Sequence, residues 1–70
     1  MKVEYSDDAT RVYRLTSGRR IVAAKGIGDV WRAALCGGDG DGRVVELGVH
    51  AGPTLDDVIE RCLADDWSVV

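Results

Sequence analysis

Seventy residues, 46% apolar and 30% charged with a net charge of −3, are the makings of one small acidic globule. A chain this short buries only about 60% of its unfolded surface, which leaves room for a single thin core. No run approaches the roughly 18 apolar residues that cross a bilayer, and the start MKVEYSDDAT has no apolar signal-peptide core. The expectation is a single domain over residues 1–70, cytoplasmic and without a membrane partner, in which Cys36 and Cys62 stay reduced.

In chain order, residues 2–5 form a short first strand and Ser6-Asp7-Asp8 a turn. Residues 11–16 read as a strand on the β-propensity of Val12, Tyr13 and Leu15. Ser17-Gly18 offers a tight turn, because glycine reaches a positive φ cheaply. Residues 19–25, centred on Ile21 and Val22, return as the second arm of a hairpin. Gly26-Ile27-Gly28-Asp29 breaks that strand. Ile27, Val30, Trp31, Ala34 and Leu35 then fall at the spacing of one helical face and predict a first helix, which Gly37-Gly38 would end. Residues 37–42 form a loop. Residues 43–49 form a strand by alternation, and His50-Ala51-Gly52 a turn.

A second helix starts near Pro53, with Thr54 as its cap and Asp57 at the third position. Its predicted apolar stripe is Leu55, Val58, Ile59, Cys62 and Leu63, with Trp67 beyond its end. Residues 68–70 form a tail or an edge strand. The expected fold is α+β, a small antiparallel sheet of three to four strands packed by two helices in the order β-β-β-α-β-α.

Chemistry-bearing patterns fall short. Asp39 and Asp41 alternate as in a calcium loop, but position twelve is His50 instead of a glutamate. Gly26 and Gly28 start a dinucleotide fingerprint whose third glycine is replaced by Trp31. Cys36, His50 and Cys62 lack the close spacing of a structural zinc site. No serine or cysteine has a nucleophile-elbow context. The expectation is a protein without cofactor or metal and without catalysis.

Charge is distributed unevenly. Arg11, Arg14, Arg19, Arg20 and Lys25 give residues 11–25 a charge of +5, while residues 29–70 carry −6 and the first ten −2. Three arrangements follow. The basic hairpin could grip a nucleic-acid backbone, with Tyr13 stacking on a base. The acidic half could face a basic surface of another protein. Or the two halves could neutralise each other, within one chain or across a dimer. A protein partner is favoured over nucleic acid because the isoelectric point is near 4.9. The candidate partner-binding residues are Arg11, Arg14, Arg19 and Arg20 on the hairpin, and Asp56, Asp57, Glu60, Asp65, Asp66 and Trp67 at the C-terminal end. Tryptophan is a frequent interface anchor, and a thin core with a spare tryptophan leaves room for a homodimer.

Small size, acidity and a hairpin of Val12-Tyr13-Arg14-Leu15 and Arg20-Ile21-Val22-Ala23 followed by amphipathic helices resemble the small inhibitors that phages carry, of which anti-CRISPR proteins are the best known. Seven arginines against two lysines agree with a GC-rich bacterial or phage source. The resemblance spans the whole chain in size, charge and layout, and implies a stoichiometric inhibitor that blocks a CRISPR effector subunit. The layout also resembles the HicB-like antitoxin domain, which implies a small regulator.

Overall fold

A computed structural model describes residues 1–38 and 42–68. Five strands, β1 (Lys2–Ser6), β2 (Thr10–Arg14), β3 (Arg20–Lys25), β4 (Trp31–Gly38) and β5 (Val44–Gly52), pair antiparallel in sequence order, and one helix, α1 (Leu55–Ser68), follows them. The meander is built by local turn chemistry. Asp7 accepts the N–H groups of Ala9 (2.9 Å) and Thr10 (2.7 Å) and closes the β1–β2 turn. Gly18, at φ 91°, closes the β2–β3 turn by donating its N–H to the Leu15 carbonyl at 3.0 Å.

This corrects the expected architecture of three to four strands and two helices. The first predicted helix does not form. Ile27–Asp29 makes a single 3₁₀ turn, with Gly28 at φ 74°, and the chain then runs extended as β4. Trp31, Ala33 and Leu35 point to one side, Arg32, Ala34 and Cys36 to the other. The alternation is as regular as the helical spacing, and two flanking strands satisfy the backbone of β4 on both edges. Two further expectations change. His50-Ala51-Gly52 is not a turn but the end of β5. Trp67 lies inside α1, not beyond it, and so does Ser68. The expected tail at residues 69 and 70, and residues 39–41 of the expected loop, lie outside the described residues.

The helix covers one face of β3, β4 and β5. Between them lies a core of Leu15, Ile21, Ala23, Ala33, Leu35, Val58, Ile59 and Cys62, flanked by Tyr13, Trp31 and Leu55. Each large side chain buried there contributes roughly 1.5–3 kcal/mol. Leu63, placed by its spacing on the buried stripe, is instead turned outward and is 39% exposed. The register sets Tyr5, Val12, Val22, Ala34 and Val49 side by side, one from each strand, on the face no helix covers.

Candidate functional site

Contacts with the sheet sort the acids of α1 into two groups. Asp57, Asp65 and Asp66 turn toward the sheet. Asp65 meets His50 Nε2 at 2.6 Å. Its carboxylate, and that of Asp57, occupy the space that β-carbons at Gly48 and Gly52 would need. Asp57 also faces Arg61 at 3.5 Å. Asp66 accepts hydrogen bonds from Arg19 (2.9 Å) and from the Ser17 hydroxyl (2.7 Å), which ties the helix to the β2–β3 turn. Burial raises the Asp66 carboxyl, but the Arg19 and Ser17 donors and the Arg19 charge together hold it below the ordinary range.

Asp56, Glu60, Leu63 and Trp67 form the opposite stripe, at steps of four, three and four residues that stay on one helical face. Asp56 and Glu60 have no ion-pair or hydrogen-bond partner among the described residues. Trp67 is 84% exposed, the largest apolar side chain so placed. Of the acidic-end residues named from sequence, the structure therefore groups Asp56, Glu60 and Trp67 on one outer surface and employs Asp57, Asp65 and Asp66 within the fold.

The basic hairpin residues are also separated. Arg14 and Arg20 lie on the helix-free face and share Glu4, at 3.2 and 2.6 Å. The Arg20 donor holds the Glu4 carboxyl below its usual range against desolvation. Arg19 is engaged by Asp66. Arg11 lies over the Trp31 ring at 5.8 Å, with Lys25 over the same ring at 6.0 Å. The arginines named from sequence thus face two different sides of the sheet and do not form one patch.

Two residues of this neighbourhood escaped the sequence reading. His50 reads from the sequence as the end of a strand, entering a turn, with no partner assigned, and it forms the β5 side of the link to Asp65. Leu63 reads from its spacing as core but is 39% exposed. A signal for the first exists: Gly48-x-His50-x-Gly52 puts two glycines on one strand face, which marks the close approach of another element.

The thiols offer little nucleophile. Burial, with Asp65 and Cys36 adding to it, pushes Cys62 up to about 11. Burial and Glu46 push Cys36 up as well. No three His, Cys, Asp or Glu side chains converge as a metal site would require among the described residues. No helix among them is long and apolar enough to cross a membrane. No family model, curated protein or solved structure matches the chain.

Proposed function

We propose that this chain is a non-catalytic binding protein that docks the outer stripe of α1 on a basic surface of a protein partner and blocks that partner's action. The observation that carries this reading is Trp67, 84% exposed on the same stripe as two carboxylates without a partner among the described residues. An exposed indole flanked by acids combines the two elements of a charged interface. The ring supplies a rigid anchor and the carboxylates supply steering and register. The helix layer adds a long-range field, with Asp56, Asp57, Glu60, Asp65 and Asp66 against the single Arg61.

A surface lined by lysine and arginine, such as the nucleic-acid groove of a CRISPR effector subunit, has the matching chemistry. A target of that kind implies action in the cytoplasm. The alternative, direct nucleic-acid binding or an antitoxin-like role through residues 11–25, is weakened by the carboxylates that already face Arg14, Arg19 and Arg20.

The test is titration of the chain against purified effector subunits, read by calorimetry. Trp67→Ala is expected to cost about 2 kcal/mol of binding, roughly 30-fold, and Asp56→Lys with Glu60→Lys to slow association most strongly at low salt. Trp67→Ala should melt like the parent, because it does not touch the core, whereas Asp56→Lys loses a first-turn carboxylate and should melt slightly lower without unfolding at the temperature of the titration. Binding that survives both unchanged would sink the proposal. A gel shift of bare DNA that Arg14→Glu and Arg20→Glu abolish would favour the alternative.

A further inference from the structure

We propose that the outer edge of β5 pairs with the same edge of a second copy, joining two five-stranded sheets into one two-fold dimer. This does not depend on the function proposed above, which uses the opposite side of α1.

The two edges of the sheet differ. The β1 edge is short, carries Lys2 and Glu4, and is bent by a register shift between Val3 and Tyr5. Charges and bulges of that kind blunt an edge against pairing. The β5 edge runs nine residues, VVELGVHAG, with one carboxylate and no lysine or proline. Its own bulge is Leu47, which the register skips between Leu35↔Gly48 and Cys36↔Glu46, so the regular part of the edge is the C-terminal five residues. The stretch from Gly48 to Gly52 is regular, and no described strand pairs its outer side. One blunted and one open edge favour a closed pair of copies over a filament, since a filament would need β5 to pair with β1.

Charge identifies a second copy as the occupant. Asp57 lies over Gly52 and Asp65 over Gly48, so α1 runs antiparallel to β5 and presents Asp57, Arg61 and Asp65 along its β5 side. A two-fold axis through Val49 projects onto α1 between Arg61 and Asp65. Each Arg61 then comes opposite Asp65 of the second copy. Strands lie about 4.8 Å apart, and α1 rests on β4 and β5. The two helices therefore approach to roughly 10–15 Å, within reach of an arginine side chain. An axis through His50 would instead set Arg61 against Arg61. The axis at Val49 has a second consequence: Val49 meets Val49, and the apolar row from Tyr5 to Val49 continues without a break into the second copy's row.

The experiment is sedimentation equilibrium of the full chain over a concentration series, together with Arg61→Glu and with Val49→Cys in a Cys36→Ser background. The expected result is a species of twice the 7.5 kDa chain mass. Arg61→Glu should weaken it by roughly tenfold or more with an unchanged far-ultraviolet spectrum. Under mild oxidation the Val49→Cys chain should form a disulfide-linked dimer, because facing residues of an antiparallel pair fall within disulfide range. A parent chain that stays monomeric at every soluble concentration overturns the proposal. So does a dimer that Arg61→Glu leaves intact and Val22→Lys dissociates, which would move the contact to the helix-free face.

Discussion

Gly48 lies on the sheet face beneath α1, where the Asp65 carboxylate fills the space its β-carbon would need. That carboxylate is within hydrogen-bond distance of His50 at 2.6 Å, so the missing side chain and the contact to His50 are one feature. Gly48→Ala is expected to push Asp65 off His50 and to cost about 1–2 kcal/mol in a urea melt. In an Asp65→Ala background the notch is empty. The same change should then be neutral or should stabilise by up to about 1 kcal/mol, since alanine loses less backbone entropy on folding than glycine. Equal costs in the two backgrounds would mean that Gly48 answers to backbone conformation and not to the carboxylate.

Among the elements, β4 and α1 show two ways a pattern is resolved. Trp31, Ala34 and Leu35 fit a helical face, but Trp31, Ala33 and Leu35 fit a strand face equally well, and the small Ala33 adds little apolar weight to the second pattern. Gly26 and Gly28 weaken helix initiation, and β4 is paired along residues 31–36 by β3 and along residues 31–38 by β5. For α1 the local signals agree with one another. Thr54 Oγ1 accepts the Asp57 N–H at 3.2 Å, acids occupy the first turn where the helix dipole favours them, and Leu55, Val58, Ile59 and Cys62 form one stripe. Fourteen residues are marginal as an isolated helix, so the cap matters. Thr54→Ala is expected to cost about 1 kcal/mol, a fall of roughly 4–8 °C in melting temperature, measurable by calorimetry.

At the scale of the molecule, the bond from Asp66 to Arg19 and Ser17 joins the last turns of α1 to the β2–β3 turn, which lies 47 residues away in sequence at Arg19. The Asp66 carboxyl is held below its ordinary value of 3.8 in the fold. It therefore contributes stability above that pH and loses the contribution as pH falls through the lowered value. Asp66→Asn should be less stable than the parent at neutral pH, with the gap closing below pH 3.8. A gap that stays constant through acid would place the tie in packing instead of charge. Together with the pairs at Glu4, this bond shows how much of the positive charge of residues 11–25 is met inside one chain. Among the carboxylates left over, Asp56 and Glu60 stand beside Trp67, and that group is the part proposed to act outward.

Much of this organisation is local and can be read from the residues in order. The β2–β3 hairpin follows from Val12, Ile21 and Gly18, and α1 from Thr54 and its apolar stripe. The opposed charges of the two halves need only counting. Tertiary pairing decided the rest. Whether residues 31–38 wind or extend depends on two neighbouring strands that no local window contains. Which of Asp56, Asp57, Glu60, Asp65 and Asp66 are spent within the fold depends on where α1 meets β5. That contact is set by two glycines, at positions 48 and 52, because only there can the helix carboxylates come down onto the sheet. The candidate site was legible as a list of charges and a tryptophan. It became a surface only once the helix had a buried side.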